Sequence, residues 1–195
     1  GRVSLDNTSG SVTIDNVSAA GTLAGTTPAS AEVFLRSGTG SLLRGGNASR
    51  DIQSGGTVIL SSPAGSIGDA ALTQPLRVDA AGRVRAGAGT TVGLELTNAT
   101  RNEIDSVTAA GQISIGASGP ATVGGLVSNA GSVLVKESTS GSRLTIGSIK
   151  AGAGVTINSE GTTTVTQSVA AAGPVILSGK DGLTLESAAT ALVKT

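Results

Sequence analysis

Four phrases in the second half of this chain share one form: AGQISI (Ala110–Ile115), AGSVLV (Ala130–Val135), AGVTI (Ala153–Ile157) and AGPVIL (Ala172–Leu177). Each puts a small, turn-forming pair before an apolar, variable, apolar run. The glycines Gly111, Gly131, Gly154 and Gly173 recur at intervals of about 20 residues. A shorter apolar stretch stands ahead of each: IDSV (Ile104–Val107), VGGL (Val123–Leu126), IGSI (Ile146–Ile149) and VTQSV (Val165–Val169). One period therefore reads short strand, small residues, glycine, longer strand, Ser/Gly-rich bend. The first half carries the same signs in SGSVTI (Ser9–Ile14) and GGTVIL (Gly55–Leu60), and IDNVSAAG (Ile14–Gly21) returns as IDSVTAAG (Ile104–Gly111).

A unit this short cannot bury an apolar face alone, so it must stack on its neighbours. The expected fold is all-β, a parallel β-helix (β-solenoid) of about 20 residues per coil. A hairpin-built barrel or sandwich would need Asn-Gly or Asp-Gly turns, and Asp181-Gly182 alone offers one. At the ordinary strand spacing, about nine coils predict a rod of roughly 45 Å. Two-residue alternation assigns the interior to Val12, Ile14, Ile113, Ile115, Val133, Val135, Val155, Ile157, Val175 and Leu177, with Ser114 and Leu134 pointing out. On this reading the eight-residue phrase returns because each coil meets the same packing problem, which puts Asp15 and Asp105 at equivalent outward or bend positions.

Composition supports a narrow bore. The chain has no Cys, Met, Trp, Tyr or His, and Phe34 is its single aromatic residue. Short and branched side chains fit between closely facing strands, and glycine suits sharp corners. Disorder is excluded by the frequent β-branched residues and a formal net charge of zero. The same neutrality argues against a nucleic-acid partner, and no apolar run approaches the roughly 20 residues of a membrane span. Pro28, Pro63, Pro75, Pro120 and Pro174 fall at expected bends or strand starts.

Residues 1–195 read as a single β-helical repeat segment of a larger protein, because neither end looks like a cap over exposed sheet edges. Irregular, loop-bearing coils occupy about 24–54 and regular coils about 55–195. Ala24–Arg36, Arg44–Ser54 and Thr97–Glu103 look like loops or irregular coils, of the kind that project from one face of a solenoid.

No catalytic, cofactor-binding or metal-ligating residue can be assigned. Acid–base work on sugars needs clustered carboxylates, whereas the acids here are scattered singly and no Asp-Asp pair occurs. Thiolate and imidazole ligands are absent, as are calcium-binding glycine–aspartate repeats. Arg83 and Arg85 alternate on one strand, with Arg77 near in sequence, and together could grip an anionic polysaccharide; a solvated charge pair is the blander reading. TTTVT (Thr162–Thr166) resembles one row of an ice-binding solenoid's threonine array, but one row is not an array. Four N-x-S/T triplets start at Asn7, Asn16, Asn47 and Asn98.

These residues support a family resemblance. GSIGDAALTQPLRVDAAGRVRAGAGTTVGLEL (Gly65–Leu96) resembles the repeats of filamentous-haemagglutinin-like large exoproteins, which run G-S-I-G, a few residues, P-L-x-V, then small-residue coils. TIGSIKAGAGVTI (Thr145–Ile157) is similar to their I-G-x-I-x-A-x-G-x-V-x-I unit. The resemblance implies a right-handed parallel β-helix, secreted to the bacterial cell surface by two-partner secretion through an outer-membrane partner. It implies an adhesin, a biofilm-matrix fibre or a stalk presenting a toxin, with exopolysaccharide or a host or bacterial cell surface as partner. The secretion domain of such proteins has no counterpart in this sequence.

Overall fold

A computed structural model of the chain describes residues 1–19, 31–46, 49–186 and 190–193. Pro28 and Asn47 lie outside them. The strands, in order, are β1 (Arg2–Asn7), β2 (Val12–Ile14), β3 (Val17–Ala19), β4 (Glu32–Ser37), β5 (Leu42–Arg44), β6 (Ile52–Ser54), β7 (Thr57–Ser62), β8 (Leu76–Ala80), β9 (Arg83–Ala88) and β10 (Val92–Leu96). There follow β11 (Asn102–Ala109), β12 (Ile113–Ala117), β13 (Ala121–Ser128), β14 (Val133–Glu137), β15 (Arg143–Ala151), β16 (Val155–Ser159), β17 (Thr162–Ala171), β18 (Val175–Gly179), β19 (Gly182–Leu185) and β20 (Thr190–Val193).

Alternate strands stack in two parallel sheets. The first runs β1-β4-β7-β9-β11-β13-β15-β17-β19, with β20 also on β17; the second runs β18-β16-β14-β12-β10-β8-β6-β3, and β2 pairs β5 beside it. The chain is thus a β-solenoid of about seven turns, roughly 21 residues apart, without helix among the described residues. The expected nine coils are too many, because the early turns are longer. Arg2 pairs Glu32, Glu32 pairs Thr57 and Val58 pairs Val84, whereas Val84 to Ile104 to Val123 closes at the expected spacing. Two segments read as loops or irregular coils contribute strands: Glu32–Ser37 is β4 and Ile52–Ser54 is β6.

One interior column shows how the stack is held. It runs Val12–Leu42–Ile67–Val92–Ile113–Val133–Val155–Val175, each residue in register with the next. The middle six are buried, while Val12 and Val175 are half-buried. A second column, Leu76–Leu94–Ile115–Val135–Ile157–Leu177, is buried until Leu177. Ile14, on the first rung, is buried. Val12, Val175 and Leu177 were expected inside; their partial exposure follows from having a described neighbour rung on one side only. Phe34 stands on the outer side of β4, half-exposed, with buried Val33 and Leu35 beside it.

The short stretches such as IDSV are not separate strands. They are the middles of β11, β13, β15 and β17, which run eight to ten residues. Within them the alternation skips: Ile104 and Val107 are both buried with Asp105 and Ser106 between, and between β15 and β17 the register shifts after the Ile146–Val165 pair, before Ser148 meets Ser168. The repeated phrase therefore needs a correction. Ile104–Ala109 lies in the first sheet, but Ile14–Ala19 lies on the opposite side of the coil, in β2 and β3. What the copies share is a local step, two outward residues between inward ones. Asn16 makes it in a left-handed conformation (φ 61°) and β11 makes it as a bulge.

Corners explain the small residues. Buried Ser37, Ser62 and Ser128 end their strands, and each hydroxyl donates at 2.7 Å to a glycine carbonyl of the turn before, Gly10, Gly40 and Gly111. The glycines stack closely in consequence. A Cβ on Gly65 would lie 2.3 Å from the Gly40 carbonyl oxygen, and one on Gly131 2.4 Å from the Gln112 nitrogen.

Candidate functional site

Several charged residues of the first sheet's outer face pair from rung to rung. Arg83 Nε donates to Glu103 at 2.8 Å and Arg85 Nε to Asp105 at 2.5 Å; Arg101 also reaches Glu103. Arg36 pairs Asp6 and Arg2 pairs Glu32 in the same manner. Arg77 does not join Arg83 and Arg85. It lies on β8 in the other sheet, and its backbone N–H donates to Asp51 at 2.8 Å. The three arginines form no common patch, because the chain turns a corner between β8 and β9. Asp105, expected at an outward position, is a half-exposed partner of Arg85, while Asp15 is exposed in the bend after β2.

Two acids lie buried. Asp51 is fully covered and sits 3.6 Å from the guanidinium of Arg44. Burial pushes its carboxyl above the usual aspartate range, against the lowering pull of the Arg77 amide and the Arg44 charge. Glu137, in β14, accepts from the Thr139 amide at 2.5 Å and from the Ser159 hydroxyl at 2.8 Å. It holds the bend after its strand.

The segment Gly65–Pro75, which carries much of the family resemblance, gives Ile67 to the interior column and then folds outward over β10. Asp69 organises it: one carboxylate oxygen accepts from the Ala71 amide at 2.9 Å and the other from the Thr73 hydroxyl. Those bonds hold its carboxyl below the usual range, the Thr73 bond first. Leu72 adopts a left-handed conformation (φ 58°). Gln112 reaches up to the Ala70 carbonyl at 3.2 Å and also donates to Ser114. Ser114 points outward as expected yet is fully buried, because the loop covers it. A Cβ on Gly93 would lie 1.9 Å from the Asp69 carbonyl oxygen, so the loop rests directly on β10.

Beyond the loop, the outer face of the second sheet opens into two adjoining hollows of about 180 and 440 Å³. Leu72, Glu95 and Gly116 line the first, Asn158, Glu160, Ser178 and Lys180 the second, and Lys136 lines both. Glu95, Gly116, Lys136, Asn158 and Ser178 are one register column, so the groove runs along the solenoid. Sequence reading missed it. The signal was present, as polar residues at one fixed place in successive repeats, but it shows only when the periods are stacked.

TTTVT also gains neighbours: Thr164 is in register with Thr145, Thr122 and Thr184. That makes a single column of threonines. Asn98 is structural, its amide donating to Asp79 and its oxygen accepting from Thr100 and Arg101 amides. Among the described residues no group of three or more acidic, His or Cys side chains could hold a metal ion, and no helix is long and apolar enough to cross a membrane. Compared with known protein families, curated proteins and solved structures, the chain matches none.

Proposed function

We propose that this chain is a non-catalytic rod segment of an extracellular adhesin or biofilm-matrix fibre on a bacterial surface, of the filamentous-haemagglutinin-like kind. The observation that carries the reading is the interior column from Val12 to Val175, in register through eight rungs. Such a stack transmits force and holds distance, because successive strands of the first sheet are tied to one another by ladders of backbone hydrogen bonds. Support for the family comes from the G-S-I-G…P-L-x-V run of Gly65–Val78, and export through an outer-membrane partner is part of the same proposal. In the cells that make the protein, antibody against this segment should label intact cells or their matrix, and external protease should remove the label. Labelling only after permeabilisation would refute the extracellular assignment.

A further inference from the structure

We infer that two copies of this chain associate side by side through the outer face of the first sheet, with both solenoids pointing the same way. The inference goes beyond the rod reading and needs only the fold. It starts from Phe34, the single aromatic residue of the chain, which faces outward and is half-exposed. Ile59, half-exposed on the next rung, is in register with it, and Ser4 and Arg85 extend the column on either side. The other large apolar residues of β4 and β7, Val33, Leu35, Val58 and Leu60, are buried. A phenylalanine and an isoleucine bordered by charged pairs have the make-up of the centre of a protein–protein interface.

The bordering charges select the occupant. On one side of the column stand Arg2 and Glu32, 3.5 Å apart, and on the other Asp6 and Arg36, 3.0 Å apart. From the first rung to the second the order is cation then acid on one side, and acid then cation on the other. Consider a second copy related by a two-fold axis parallel to the solenoid, above the Phe34 column. Its strands run the other way while its rungs stay level. The residue two before the column then faces the residue two after it. Arg2 meets Asp6 and Glu32 meets Arg36, each pair twice, while Phe34 meets Phe34 and Ile59 meets Ile59. Turning the second copy end for end about Phe34 would instead set Glu32 on Glu32 and Arg36 on Arg36.

The rest of the face accepts the same pairing. Arg83 comes opposite Gly87, Glu103 opposite Thr108 and Thr145 opposite Lys150. Arg85 meets its counterpart, but each is already bonded to its own Asp105 at 2.5 Å. Small residues continue the centre line, Gly125, Ser148 and Ser168 being in register. From β1 to β17 the face is eight strands long, roughly 38 Å by 20 Å, enough to cover about 800 Å² per copy, as a standard stable interface does. Sheets packed face to face lie about 10 Å apart, which leaves room for two offset phenyl rings. A nucleic acid fits poorly, since Arg2, Arg36, Arg83 and Arg85 each stand beside an acid. A peptide strand would need an open sheet edge, and β4 and β7 are paired on both sides.

The test is sedimentation equilibrium of the folded chain over a concentration series. A species of twice the 18.6 kDa chain mass is expected, weakening as salt rises. Phe34→Ala should raise the dissociation constant about thirtyfold, as for an anchor at an interface centre. Glu32→Lys and Arg36→Glu should each raise it about tenfold, since each sets like charges across the interface twice. Mixing those two variants should restore pairing, because each supplies the charge that the other lacks. Glu160→Gln, in the bend after β16, should associate like the parent. Circular dichroism checks that each variant keeps the fold. A monomer at all concentrations up to about 1 mM would overturn the proposal, as would a dimer indifferent to Phe34→Ala. A mixture no tighter than its two components would overturn the same-direction arrangement. None of these outcomes depends on where the cell places the protein, so the surface-labelling result is read separately.

Discussion

Removing the side chain of Ile115 tests whether stability is shared between neighbouring rungs. Ile115 is 1% exposed and packs in its column between Leu94 and Val135, both buried. Ile115→Ala should therefore cost about 3 kcal/mol, the middle of the range for opening a cavity in a packed interior. At a urea slope of about 2 kcal/mol/M the denaturation midpoint falls by roughly 1.5 M. Leu177 occupies the same column at the end of the described stack, half-exposed, with Ile157 on its one paired side. Leu177→Ala deletes a side chain of similar size but should cost about 1 kcal/mol, since it loses contacts to one rung and less buried area. The assay is urea unfolding of the two variants and the parent, followed by β-sheet circular dichroism. Equal midpoint losses at the two positions, or a loss below about 1 kcal/mol for Ile115→Ala, would refute the reasoning. Ile115→Asp should abolish protease resistance of the surrounding turns.

Three further outcomes follow from local geometry. Gly65→Ala should lower the melting temperature more than Gly10→Ala, because its Cβ meets the Gly40 carbonyl whereas Gly10 has open space and only its φ of 78° to strain. Asp51 has its carboxyl raised, so the folded state holds that proton more tightly than the unfolded chain. Its contribution is present below the unfolded value and lost as pH rises through the folded one. The stability of Asp51→Asn relative to the parent should accordingly increase from about pH 4 upward, by urea midpoints; a decrease would mean that the Arg44 pair outweighs burial. Asp69→Ala should speed hydrogen exchange at the Ala71 amide and in β10 and β12 beneath the loop, while β13 and β15 keep their protection. Uniform loss of protection would refute a local role for the loop.

Much of the candidate surface was hidden from sequence reading for a definite reason. Arg83 and Arg85 were legible as a pair on one face, since alternation within a strand needs only neighbouring residues. Their partners Glu103 and Asp105 lie a full turn away, and no local pattern announces that they neutralise those arginines. Lys136 likewise stands between Gly116 and Asn158 by register alone, which no local pattern shows.

The sequence by itself determined the stacked all-β fold and the inward residues of its regular later turns, though not the strands of the early turns or the full length of β11, β13, β15 and β17. Val, Ile and Leu at alternate positions have one way to leave water, and small residues at about 20-residue intervals have one way to turn. Only the tertiary structure decided which side of the coil each phrase occupies. Ile14–Ala19 and Ile104–Ala109 read alike yet lie in different sheets, because the first follows β1 within its turn whereas the second is itself a strand of the first sheet. It likewise decided that Ser114 is buried, since a loop closing over a strand is a long-range contact. Local alternation fixes in and out; register between turns fixes what stands beside what.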